Sequence, residues 1–283
     1  MKTKKSTRKR STSPLAQLAT ITAVALIFCA GVGMIAVQTV QRHQKVERAE
    51  AQISESRAPL VTPSPTIPAS AEVRRWMLAA GGPIAQQNGE NWDDLASNIP
   101  VDELKYLVQA GWDISDRDSA LQTIYWLRDE GHRHQFNNMR RYILAITNDD
   151  EAVFKLQRRA ISKELLVESP SAQLFLTDFV WKHRNDLAEK SLSAWDYSRL
   201  INVVRWSYAL GYLSEDEAWE NITLAARELQ KHHTSWDDFA DSYLLGRTFW
   251  QHSSANAGTV SAVRQLQSDP KSPWRTLPWN LPL

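Results

Sequence analysis

One cysteine occurs in 283 residues, Cys29, and it lies inside an apolar run. Intrachain disulfides, CxxC redox chemistry, thiolate zinc sites, iron–sulfur clusters and a cysteine nucleophile in the remaining chain are therefore excluded. Glycine is scarce at ten residues, and no stretch alternates β-branched and polar side chains, so strands and hairpins have little to form from. The nucleotide signature GxxxxGK[ST], the zinc signature HExxH and the hydrolase elbow GxSxG are all missing. A basic body is missing as well. Residues 1–70 hold ten Lys/Arg against three Glu, a net of +7, and the overall +1 leaves −6 for residues 71–283. Nucleic-acid binding normally needs a basic footprint, so it is not expected. Tryptophan, by contrast, is plentiful: twelve indoles suggest a core built on large rings.

The basic excess belongs to a membrane signal. Lys2, Lys4, Lys5, Arg8, Lys9 and Arg10 precede Leu15–Val37, which carries no charge. As a helix this run extends about 35 Å, enough to cross a hydrocarbon core of about 30 Å. It is long for a cleaved signal peptide, and no small-x-small site follows closely. The expected layout is a basic cytoplasmic tail over 1–14, one transmembrane helix over 15–40, a Pro/Ser/Thr-containing linker over 41–70 and a helical domain over 71–283. The linker holds Pro59, Pro63, Pro65 and Pro68. The heavier basic flank lies before the span, although Arg42, Lys45 and Arg48 follow it. That bias puts the N-terminus in the cytoplasm and the domain on the periplasmic side of the inner membrane. Ala25, Cys29 and Gly33 form a small-residue strip on which two such helices can pair as a homodimer.

The folded part reads as all-α. Helical patterns run over 71–80 before Gly81-Gly82, after Asn91, from Pro100 to before Gly111, from Ser115-x-x-Asp118 to Gly131, through 135–147 and 150–167, and from Ser171 to about 183. Three more follow, each opened by a capping-box pattern: Ser193-x-x-Asp196, Ser214-x-x-Glu217 and Ser235-x-x-Asp238. The second of the three has one apolar stripe, Ala218, Trp219, Ile222, Ala225, Ala226 and Leu229. The third carries Trp236, Phe239, Ala240, Tyr243, Gly246 and Trp250, with Gly246 placed to let a neighbouring helix approach closely. The final Pro273–Pro282 segment holds three prolines and two tryptophans and is expected to be non-helical. Two roles are open to it, a strap across an apolar groove or an exposed docking peptide.

The first of these three helices carries the candidate site. Opposite its apolar stripe (Tyr197, Leu200, Ile201, Val204, Tyr208) stand Trp195, Arg199, Asn202 and Trp206. A guanidinium between two indoles gains about 0.5–2 kcal/mol from cation–π contact, depending on desolvation. Two readings are open. In one the face is core and Arg199 pairs with an acid such as Asp196 or Glu217. In the other it is the floor of a cleft that recognises an anionic or planar group. Glu130, His132 and His134 are the nearest metal-like set, but alternate helix positions point apart, so no metal and no cofactor is expected. His132 and Arg133 are better placed to bond the carbonyls ending the preceding helix.

The motifs also resemble a bacterial family known as domain of unknown function 1266, over about residues 100–283. The resemblance rests on Trp112-Asp113-Ile114-x-Asp116-Arg117, Glu130-Gly131-His132-Arg133 and Trp195-Asp196-x-x-Arg199. It continues through Gly211–Trp219, Ser235-Trp236-x-x-Phe239, Tyr243-x-x-Gly246-Arg247-x-Phe249-Trp250 and Ser272-Pro273-Trp274-Arg275-x-Leu277-Pro278-Trp279. It implies a mainly helical bacterial domain and brings no activity with it. The function expected is a membrane-anchored, non-catalytic module that binds a protein partner. The alternative is an enzyme or small-ligand receptor with a pocket around Trp195, Arg199, Asn202 and Trp206.

Overall fold

Amphipathic segments with polar caps have to bury their apolar stripes on one another, and here they do so around a single helix. The computed structural model describes residues 70–165 and 169–283. Among the described residues there are twelve helices and no strand. They are α1 (Ala71–Ala79), α2 (Gly82–Asn88), α3 (Val101–Trp112), α4 (Arg117–Asp129), α5 (Gly131–Thr147) and α6 (Glu151–Glu164). Then come α7 (Pro170–His183), α8 (Ser193–Ala209), α9 (Glu215–His232), α10 (Trp236–Gln251), α11 (Ala257–Ser268) and α12 (Pro273–Thr276). Helix α8 is the hub: it packs against α9, α10, α4, α2, α3 and α5. Every residue from Ser193 to Ser207 is buried, so the helix is covered on all sides. To one side α5, α6 and α7 pack on each other, and α11 lies against α2, α10 and α12.

The stripe expected on α9 is the face it buries, residue for residue. On α10 the expected residues are buried except for Trp250, which is 39% exposed, and Ser242 and Phe249 are buried besides. Gly246 meets α8 so closely that an added Cβ would sit 2.2 Å from Trp195 Cβ. Ser214 and Glu217 form the full reciprocal capping box. Ser235 accepts from the Asp238 amide, but the Asp238 carboxylate accepts instead from Thr234 and Lys190.

Several expectations need correction. Helix α8 is not opened by Ser193: its N-cap is Leu192, and the Ser193 and Asp196 side chains both serve other elements. The box before α4 is Asp116 with Ser119, one residue later than Ser115-x-x-Asp118. No helix follows Asn91. Asn98 Oδ1 there accepts from the Asn91 amide and Asp94 Oδ1 from the Ala96 amide, side-chain bonds that favour turns over helix. Gly111 lies inside α3, which is stopped by Asp113 at φ 56°.

The tail is a strap, with one turn of helix in it. Pro273 takes the first helical position, where its missing N–H and fixed φ do no harm. Trp274 donates its indole N–H to the Ala79 carbonyl, and Trp279 donates to that of His233. In return Trp76 donates to Pro278 and Trp236 to Leu277. Trp236 stacks on Trp274 at 5.3 Å and meets Trp279 edge-on at 4.8 Å. Proline-interrupted backbone leaves carbonyls free, and buried indoles need acceptors, so the two requirements satisfy each other. The expected membrane span over 15–40, its Ala25/Cys29/Gly33 strip and all but Ser70 of the 41–70 linker lie outside the described residues. Among the described residues no helix is long and apolar enough to cross a membrane.

Candidate functional site

Trp195, Arg199, Asn202 and Trp206 line one side of α8 as expected, and none of them is more than 5% exposed. Each is covered by a different element. Trp206 donates its indole N–H to the Glu90 carboxylate at 3.0 Å. Asn202 donates to the Gly81 carbonyl in the turn between α1 and α2. Arg199 lies over Trp195 at 4.5 Å from the ring centre, with Trp112 at 5.4 Å and Trp126 at 5.7 Å. Trp195 is pressed against Gly246 and Tyr243 of α10.

Beside this face, in the first turn of α8, sits the fully buried carboxylate of Asp196. It accepts from the backbone amides of His132 (3.1 Å) and Arg133 (2.8 Å), the first free amides of α5, so it caps that helix from across the fold. It also accepts from the guanidiniums of Arg199 (2.6 Å) and Arg133 (3.2 Å). Burial alone would raise the Asp196 pKa. The contact with His132 and the charges of Arg199 and Arg133 outweigh it and hold the group at about 2. Arg133 further donates to the Leu127 and Arg128 carbonyls, closing the end of α4. His132 does otherwise. Its Nδ1 lies 2.9 Å from Arg199 Nη2, and since an arginine can only donate, Nδ1 accepts and Nε2 carries the proton. Burial and the Arg199 charge push its pKa down, which keeps the ring neutral.

On the outer side of Trp195 lies a residue to which composition and spacing gave no role, Arg247. Its guanidinium is 5.7 Å from the Trp195 ring centre and 4.5 Å from that of Trp250. It makes no ion pair among the described residues, and its Nε, like Trp195 Nε1, is buried without a hydrogen-bond partner. Burial lowers its pKa, and only the Tyr243 phenol works against that.

These contacts join Trp112, Gly131-His132-Arg133, Trp195-Asp196-Arg199 and Gly246-Arg247-Trp250, segments far apart in the chain. A family model described as "Protein of unknown function (DUF1266)" matches residues 108–279. The chain belongs to that family. Similar proteins include two from Escherichia coli K12. The uncharacterized protein YbeU is 27% identical over 159 residues, covering 55% of this chain and 61% of its own length. The uncharacterized protein YbeR is 26% identical over 149 residues, 51% of this chain and 57% of its own. The chain thus spans about three fifths of these relatives. No solved structure matches.

Within the stretch matched to DUF1266 lies a second polar network that spacing did not reveal. Ser193 Oγ is 2.9 Å from His233 Nε2, and His233 Nδ1 is 3.7 Å from Asp238 Oδ2. The residue types are those of a hydrolytic triad, but the geometry differs. The Asp–His separation exceeds a hydrogen bond, and Asp238 is engaged by Lys190 and the Thr234 amide. Ser193 is 1% exposed and His233, under Trp279 of the strap, 2%, so no substrate carbonyl reaches the hydroxyl. Arg205, also unforeseen, is fully buried and donates to the Asp94 and Asn91 carbonyls, pinning the loop after α2. Among the described residues, no three His, Cys, Asp or Glu side chains are grouped to hold a metal ion.

Proposed function

We propose that this chain is a recognition protein that binds a protein partner without catalysing a reaction, held at the bacterial inner membrane by residues 15–40 with its helical domain on the periplasmic side. One observation carries the reading: where the polar chemistry of the family motifs goes. His132, Arg133, Asp196 and Arg199 bond one another, and Trp206 bonds Glu90. Asp196, Arg199 and Trp206 are sealed within these bonds, none of them more than 5% exposed. A ligand seated on the Trp195, Arg199, Asn202 and Trp206 face would have to part α3, α4 and the α1–α2 turn. The adjoining Arg247 and Trp250 need no such movement.

The test places a photoreactive amino acid at Trp250 in intact cells, with Leu224, 36% exposed on α9, as a control position. A discrete protein adduct from position 250 and none from 224 is expected. A turnover activity abolished by His132→Gln in a folded protein would overturn the non-catalytic reading. Recovery of the intact chain in the aqueous fraction after lysis would remove the membrane anchor.

A further inference from the structure

We propose that Arg247, Trp195 and Trp250 form a binding site for a carboxylate joined to a flat apolar body. The inference rests on the recognition reading and names the chemical group recognised.

Two observations converge on the same ring. Trp195 Nε1 and Arg247 Nε are both buried donors with no acceptor among the described residues, and the Arg247 guanidinium lies 5.7 Å from the Trp195 ring centre. A buried donor without an acceptor is costly, and an acceptor supplied from outside the chain would remove that cost at both atoms. The Asp196 carboxylate does not serve, because Arg199 and Arg133 already meet it.

The geometry and the charge select the ligand class. Nε–H and one terminal N–H of a guanidinium form a fork that matches the two oxygens of a carboxylate. Here the Nε edge is the inward, unpartnered one. Of the two guanidiniums on Trp195, Arg199 is paired with Asp196 and Arg247 has no acid among the described residues, so a monoanion balances the site and a phosphate dianion does not. Trp250, 39% exposed and 5.9 Å from Trp195, offers a face against which a ring or an apolar side chain can stack. The source is either a small free acid or the carboxylate at the end of a polypeptide.

The experiment is calorimetric titration of the full-length protein in non-ionic detergent with benzoate, with the tripeptide Gly-Gly-Phe bearing a free C-terminus, with its amide, and with inorganic phosphate. Saturable binding of benzoate or the free tripeptide is expected. The amide should bind at least tenfold more weakly, and the tighter of the two acids identifies the source. Arg247→Ala, shown folded by an unchanged melting transition, should weaken binding at least tenfold. Arg247→Lys should restore little, since a point charge lacks the fork. Equal binding by Arg247→Ala, no binding of either acid, or phosphate binding as tightly as the acids would each overturn the proposal. A photo-crosslink at position 250 that survives Arg247→Ala would leave the recognition reading standing while this site falls.

Discussion

Gly131 stands where the Asp196 carboxylate needs room: a Cβ at position 131 would lie 2.2 Å from Asp196 Oδ2. The glycine also holds φ at 57°, in the left-handed region, and so turns the chain from α4 into α5. Gly131→Ala therefore meets both a conformational penalty of about 1 kcal/mol and displacement of the acid that caps α5. We expect a loss of more than about 2 kcal/mol, measured by urea unfolding followed through tryptophan fluorescence.

Asp196→Asn removes the charge that Arg199 and Arg133 share while keeping the size of the side chain. Breaking a buried pair from one side leaves an uncompensated cation, at about 3–5 kcal/mol. The acid limb of the stability profile carries a second signature. With a folded pKa of about 2 against the usual 3.8, the contribution of Asp196 is complete above pH 4 and is lost as pH falls toward 2. That amounts to about 2 kcal/mol. The wild type should show this slope between pH 4 and 2, and the Asn variant should lack its share of it.

The helices and their apolar faces were legible because local spacing dictates them: the α9 stripe and the Gly246 contact follow from period and size alone. The caps at Ser193 and Asp196 misled for a physical reason. A serine and an acid three residues apart satisfy a local pattern, but here a distant helix start and a distant histidine compete for the same atoms and win. Arg199 shows the same limit. Its partner Asp196 was among the acids named, while His132 and the indoles of Trp112 and Trp126 came from other helices that no spacing along α8 encodes. Arg247 stood in a family motif, yet its lack of a partner is a property of the packed molecule only.

His233 sets the neutral-to-acid part of the profile. Burial pushes its pKa down from 6.5 to about 4, although Asp238 pulls the other way. The folded protein thus binds this proton less readily than the unfolded chain does. Stability from keeping the ring neutral is complete above pH 6.5 and declines as pH falls toward 4, by about 3 kcal/mol. Equilibrium unfolding at pH 7, 5.5 and 4.5 should show the decline. His233→Gln should be less stable at pH 7 and flatter across the interval, and an unchanged slope would mean the ring titrates normally.

Arg117 and Glu217 make an exposed bidentate pair, a kind of contact that contributes little. Glu217 does more than pair. Its carboxylate also accepts from the Ser214 amide and closes the capping box of α9. Glu217→Ala is therefore expected to cost about 1 kcal/mol, the usual value of a cap, and Arg117→Ala distinctly less. High salt should weaken the arginine's contribution and spare the cap. Equal losses, both abolished by salt, would place the energy in the ion pair instead.

Trp236 and Trp219 allow one polar contact to be weighed in two settings. Trp236 donates its indole N–H to the Leu277 carbonyl at 3.0 Å in a buried position, whereas Trp219, its ring buried too, reaches the exposed carboxylate of Glu215 at 3.3 Å. Phenylalanine removes the same atoms from each. At position 236 the change leaves a strap carbonyl without its donor and breaks the stack on Trp274, so a loss of about 1–3 kcal/mol is expected. At position 219 water replaces the donor to Glu215, and the cost should be that of lost ring area alone. Because the strap lies on His233 through Trp279, Trp236→Phe should also speed hydrogen exchange at the amides around His233, while Trp219→Phe leaves them protected. Similar exchange in both variants would mean that the tail holds its place without this bond.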